Sequence, residues 1–156
     1  MSIIRKLAAA VVVILLAVSS TGAVMAQTKI DPEVAKTLTL KAAALVKEQG
    51  VDALRPIFQT SPDWKYADIY VSVIDYKGVW LVYPVRPAGE GKSVFEVKDP
   101  DGRLIVQEII KVAQDKGEGW VEYRWLNPVS SKIEPKATYV KNVPERNVVV
   151  YVGVYK

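Results

Sequence analysis

The chain has 156 residues, half of them apolar, with 21 Lys or Arg against 17 Asp or Glu and a formal net charge of +4 at pH 7. It contains neither cysteine nor histidine. Those two absences exclude disulfides, a lipoprotein anchor, a haem attachment motif, thiol nucleophiles, a Ser-His-Asp triad and histidine-ligated metals. A basic surplus this mild predicts neither nucleic-acid nor lipid binding.

Arg5 and Lys6 form a short positive start, and Leu7 to Val18 is apolar without interruption. Val24-Met25-Ala26 then offers small residues where a signal peptidase reads. Residues 1–26 are therefore expected to be a signal peptide cleaved before Gln27, leaving one domain over residues 27–156 in the periplasm or outside the cell. The alternative is an uncleaved segment tethering the domain to the inner membrane, because Leu7 to Ala26 carries no charge and is about long enough to span. No second hydrophobic run follows, so a free-standing exported domain is expected.

Asp31-Pro32-Glu33 opens a helix, with a capping side chain, a proline at the first helical position and an acid at the positive end of the dipole. Val34, Leu38, Ala42, Leu45 and Val46 recur at helical spacing, and Gly50 is a stop signal. A shorter helix is expected over Val51 to Phe58, then a loop from Gln59 to Lys65. Ile69 to Ile74 and Val79 to Tyr83 read as strands joined by the turn Asp75-Tyr76-Lys77-Gly78. Val85 to Lys98, with Pro87, Gly89 and Gly91, reads as an exposed, mobile connection. A further helix is expected from about Asp101 to Lys116, ended by Gly117. Three strands finish the chain at about Gly119–Leu126, Pro135–Val143 and Asn147–Tyr155. Short links imply antiparallel neighbours. The fold class is α+β, an antiparallel sheet of about five strands with helices on one face.

Alternation along the third strand puts Val121, Tyr123 and Trp125 on one face and Trp120, Glu122, Arg124 and Leu126 on the other. The charged pair marks the second face as the wetter one, so Tyr123 and Trp125 should point inward. Buried tyrosine and tryptophan keep polar tips that need partners, and a bound polar ligand can supply them; the plainer alternative is that both rings are core. Lys136, after Glu134-Pro135 at a strand start, is either a cation for a small carboxylate or a solvated strand-end lysine. Strand alternation places Lys136 and Tyr139 on opposite faces unless a bulge intervenes. Asp99-Pro100-Asp101-Gly102 is read as a turn capping the following helix, since it lacks the further acids of a calcium loop. No paired carboxylates, metal ligands or phosphate-binding glycine motif can be identified.

Several pieces follow one another in a familiar order: Asp68-Ile-Tyr70, Ile74-Asp75-Tyr-Lys-Gly78, Tyr83-Pro84, Lys98-Asp-Pro-Asp-Gly102, Gly117-Glu-Gly119-Trp-Val-Glu-Tyr123-Arg-Trp125, Pro135-Lys136 with Tyr139-Val140, and Val152-Gly153-Val154-Tyr155. In this order the chain resembles the second single Cache group of extracytoplasmic sensor domains. The resemblance implies a PAS-like curved sheet flanked by helices, including a long N-terminal one. It also implies a small-molecule sensor, often for short organic acids. By position it marks Tyr83, Tyr123, Trp125, Lys136 and Tyr139 as ligand-binding. Tyr83 stands where the family often has histidine, and Tyr151 where it often has glycine; an inward tyrosine there would shrink the pocket.

The expected function is a non-enzymatic, cofactor-free module that binds a small organic acid. Lys136 would be the counter-ion, Tyr123 and Tyr139 hydrogen-bond donors, and Trp125 an apolar wall. Its signal would pass to a membrane receptor or kinase, with no nucleic-acid partner. The alternative is an exported structural or protein-interaction domain whose pocket is filled. Catalysis ranks last, because without His or Cys it needs tuned carboxylates or tyrosines that cannot be identified.

Overall fold

The structure, a computed structural model, describes residues 29–156. The expected leader and its cleavage site lie outside the described residues. Among those residues no helix is long and apolar enough to cross a membrane.

Helix α1 spans Pro32–Gln49. The Asp31 carboxylate accepts from the Glu33 amide at 2.9 Å, and Gly50, at φ 82°, ends the helix. The buried face is Ala35, Thr39, Ala42, Ala43 and Val46, with Leu38 and Leu45 at its margin. Small residues bring the helix axis close to the sheet, and Thr39 Oγ1 reaches both the Ala35 carbonyl (2.7 Å) and the Tyr139 carbonyl (3.3 Å). Asp31→Ala should therefore cost about 1 kcal/mol, read as a lower urea midpoint with an unchanged slope. Helix α2 spans Val51–Thr60 and buries Leu54 and Phe58, as the spacing predicts.

A small hairpin follows, β1 Lys65–Tyr66 with β2 Ile69–Tyr70, turning through Ala67 at φ 49°. It was expected as loop and strand. The expected single strand from Ile69 to Ile74 is broken at Val71, whose amide bonds the Trp64 carbonyl. The main sheet comprises β3 Ser72–Asp75, β4 Trp80–Val82, β5 Glu118–Leu126, β6 Ile133–Val143 and β7 Val148–Tyr155. Its order is β4-β3-β7-β6-β5, antiparallel throughout. The last strand thus pairs with the first of the sheet and closes the layer around β7.

Helices cover both faces, not one. Strand β7 is buried at every position. Val148, Val150, Val152 and Val154 share a cluster with α1 and α2 residues, while Val149 and Tyr151 share another with α3, Ile105–Lys116. A central strand whose two faces are both apolar needs cover on both sides.

Two further expectations change. Helix α3 starts at Ile105 rather than near Asp101, because the Asp99 carboxylate accepts the amides of Asp101 and Arg103 and holds a turn through Gly102 at φ 83°. Asp99 organises that turn but does not cap the helix, whose first residue follows Leu104. The 85–98 connection is tied down, not loose. The Gly91 amide bonds the Trp80 carbonyl (2.7 Å), the Val94 amide bonds the Gly78 carbonyl (2.7 Å), and Val94 is buried with Phe95 and Val97 packed nearby.

Candidate functional site

The face of the sheet toward α3 carries the site. Period-two alternation puts Tyr123 and Trp125 of β5, Lys136 and Thr138 of β6, and Tyr151, Gly153 and Tyr155 of β7 on that side. Register brings Tyr123 opposite Lys136, Lys136 opposite Tyr155, and Thr138 opposite Gly153. Tyr70, Trp80 and Tyr83 enter from β2, β4 and the residue after β4, while Val97, Ile105, Val106 and Ile109 close the other wall.

Lys136 lies at the centre of this arrangement. It is 4% exposed, so the solvated reading of this residue is wrong. Its Nζ donates to Tyr70 Oη at 2.7 Å and Tyr155 Oη at 3.3 Å, and lies 4.3 and 4.5 Å from those two ring centroids. Among the described residues no carboxylate reaches it within salt-bridge distance. Burial lowers its pKa to about 7, against a smaller upward pull from Asp68. The stem is housed by Gly153: a Cβ there would sit 2.3 Å from Lys136 Cε and 2.4 Å from Thr138 Oγ1.

The surrounding phenols remain protonated donors. Burial pushes the pKa of Tyr70, Tyr123, Tyr151 and Tyr155 upward. Tyr155 Oη donates to the Leu126 carbonyl at 2.7 Å, and Thr138 Oγ1 lies 3.0 Å from Tyr123 Oη. Tyr151 does point inward, accepting from Trp80 Nε1 at 2.9 Å. The cavity enclosed by these side chains is only ≈ 20 Å³, about room for one water. Trp80 stacks on Tyr83 (centroids 3.9 Å apart, planes at 6°), and Trp125 Nε1 approaches Tyr83 Oη at 3.4 Å. These three rings also line an outer cleft of ≈ 360 Å³. They form the wall between cleft and cavity.

Of the five residues singled out by sequence, Tyr83, Tyr123, Trp125 and Lys136 come together here. Tyr139 does not. It faces α1, packs edge-on against Trp120 at 4.9 Å, and has Lys36 over its ring. No bulge interrupts β6 between residues 136 and 139, so strand alternation prevails. Val121 and Tyr123 are buried and Trp125 half-buried, whereas Glu122 and Arg124 are exposed, as alternation requires. Tyr70, Trp80 and Tyr155 were missed. The alternation Tyr151-Gly153-Tyr155 held the signal for Tyr155: a glycine between two tyrosines on one strand face marks close approach of another group.

An antiparallel sheet covered by helices on both faces, with a small aromatic cavity around one buried lysine, defines an α+β domain. The chain belongs to the single Cache domain 2 family, which matches residues 5–156. That family is a sensory, ligand-binding one. The chain is 33% identical over 88 residues to the sensor histidine kinase MctS of Rhizobium johnstonii, covering 56% of this chain and 19% of the kinase. It is 28% identical over 123 residues to the methyl-accepting chemotaxis protein McpP of Pseudomonas putida, covering 79% of this chain and 21% of the receptor. It thus spans about a fifth of the length of these curated relatives. Among solved structures, a Cache chemosensory domain described for its carboxylic acid recognition superposes with a TM-score of 0.60 at 23% identity, covering 77% of this chain and 92% of that one. The chain is therefore a Cache sensor domain related to those of chemotaxis receptors and histidine kinases.

Proposed function

We propose that this domain, residues 27–156 after loss of a leader over 1–26, binds a small organic acid outside the cytoplasm and passes the signal to a receptor or kinase in the membrane. The observation that carries this reading is Lys136, a buried amine with no carboxylate partner among the described residues, inside a ring of tyrosine hydroxyls. A desolvated charge is costly when unpaired, and an entering carboxylate would supply the missing counter-charge. Tyr123 and Tyr70 would donate to the acid, and Trp125 and Tyr83 would enclose its apolar end. The relative described for carboxylic acid recognition supports the choice of ligand class.

Size restricts the ligand. The closed cavity of ≈ 20 Å³ holds about one water, so the Trp80–Tyr83 wall would have to swing toward the cleft to admit a small acid. Tyr151 is the observation that favours the second reading, a domain with a filled cavity. Native mass spectrometry of protein purified from its own host separates the two. A co-purifying small acid is expected; its absence, together with no heat on titration with formate, acetate or propionate, favours the filled cavity.

The Lys136 pKa sets the pH dependence. The acid binds the ammonium form, whose fraction falls above pH 7. Affinity for acetate should change little between about pH 5.5 and 6, where acetate stays ionised, and decline above 7, approaching about tenfold per pH unit by pH 8. Calorimetric titrations at pH 6 and 8 check this; equal affinities would remove Lys136 from the contact.

A further inference from the structure

We infer that Glu90 latches the wall of the Lys136 cavity: its carboxylate holds Trp80 and Tyr83 shut and ties their opening to helix α2. This role rests on the proposed function only in taking the wall as the acid's way in.

Strand β4 is the weak point of the wall. It is three residues long and lies at the sheet edge, paired on one side with β3. The open side of an edge strand carries backbone groups that need other partners. The 85–98 connection supplies them: the Gly91 amide bonds the Trp80 carbonyl at 2.7 Å, and the Trp80 amide bonds the Lys92 carbonyl at 3.2 Å. Gly89 presses on the Trp80 ring, where a Cβ would stand 3.3 Å from Cε3 and Cζ3.

Glu90 sits between these contacts, with its side chain 14% exposed. Its Oε1 accepts the Tyr83 amide at 2.7 Å and Gln59 Nε2 at 2.8 Å. Its Oε2 lies 3.8 Å from Arg55 Nε, which donates to the Leu81 carbonyl at 3.0 Å. Gln59 and Arg55 belong to α2. One carboxylate thus joins the base of the wall, the connection and the helix. Hydrogen bonds to an ionised acceptor are stronger than neutral ones.

The wall cannot move without this junction. Alternation turns Trp80 to the cavity and Leu81 to the opposite face, where Leu81 packs against the cluster that holds Leu54 and Phe58 of α2. If Tyr83 swings toward the cleft, its amide either leaves Glu90 or draws the carboxylate, and α2 with it. The inner catch is the bond from the Trp80 indole to buried Tyr151 Oη, and that indole proton meets water when the wall opens.

Exchange of the Trp80 indole proton with water, followed by NMR in the full chain without ligand, therefore reads the opening. Glu90→Leu keeps the bulk and removes the acceptors, and should speed this exchange by about tenfold or more. Glu90→Gln keeps a carbonyl oxygen and should recover most of the protection. Gln59→Leu removes the α2 donor and should speed the exchange too. Amides of the central strand β7 should keep the parent's rates, because they open through wider unfolding. An unchanged indole rate in Glu90→Leu, or an equal rise along β7, overturns the latch. An unchanged rate in Gln59→Leu overturns the tie to α2. No acid enters this measurement; acetate failing to bind the parent contradicts the proposed function and leaves the exchange result standing. Where acetate binds, Glu90→Leu should raise its association rate several-fold, and an unchanged rate overturns the part of the latch in acid entry.

Discussion

Lys136→Met should weaken binding of small carboxylates by tenfold or more, corresponding to at least about 1.4 kcal/mol. It should also make the ligand-free domain more stable. Methionine keeps most of the stem and removes a buried charge that has no counter-ion among the described residues. Replacing a buried charge by an apolar group of similar volume often stabilises by roughly 1–4 kcal/mol. The sign with pH follows from the lowered pKa. In the folded protein Lys136 deprotonates near pH 7, in the unfolded chain near 10.5. The charging penalty is therefore complete below pH 7 and is relieved as pH rises toward 10.5. The stability gap between Lys136→Met and the parent should accordingly shrink from pH 6 to pH 10, as followed by urea denaturation. A variant that binds acids normally, or is less stable than the parent at pH 6, contradicts this assignment.

Gly153→Ala should damage both folding and binding. The backbone of Gly153 does not demand glycine through its φ angle; the space does. A methyl group there would lie 2.3 Å from Lys136 Cε and 2.4 Å from Thr138 Oγ1. Lys136 would have to leave its channel, carrying Nζ away from Tyr70 and Tyr155. The Thr138–Tyr123 contact would be pushed apart in the same step. Overpacking of this kind costs about 1–3 kcal/mol, read as a lower urea midpoint, and acid affinity should fall as far as in Lys136→Met. Unimpaired binding by Gly153→Ala would show that the lysine need not lie where it does.

The sequence made the scaffold legible because its signals are local. Asp31-Pro32 and Gly50 bracket α1, and alternation along β5 correctly assigns the inward face of Val121, Tyr123 and Trp125. Glu122 and Arg124 had marked the outer face by their charge. Long-range burial was less legible. Lys136 reads as a strand-end lysine until β7 is laid beside it, because its burial comes from Tyr155 and Gly153, some nineteen and seventeen residues on. Tyr70 and Trp80 approach from elements whose place in the sheet depends on the β3–β7 pairing, which no local pattern announces. Tyr139 shows the opposite error. A resemblance by position had placed it in the site, while the alternation of its own strand put it on the α1 face.

An acid entering the Lys136 cavity should pair with its ammonium group. Proton uptake on binding measures that directly. Acetate is titrated into the domain at pH 7 in two buffers of different ionisation enthalpy, and the difference in apparent heat gives the protons exchanged. With a free-state pKa of about 7, raised well above that once a carboxylate is bound, uptake of about half a proton per acid is expected, and none for Lys136→Met. Binding with no proton uptake, or uptake that persists in Lys136→Met, would contradict the account.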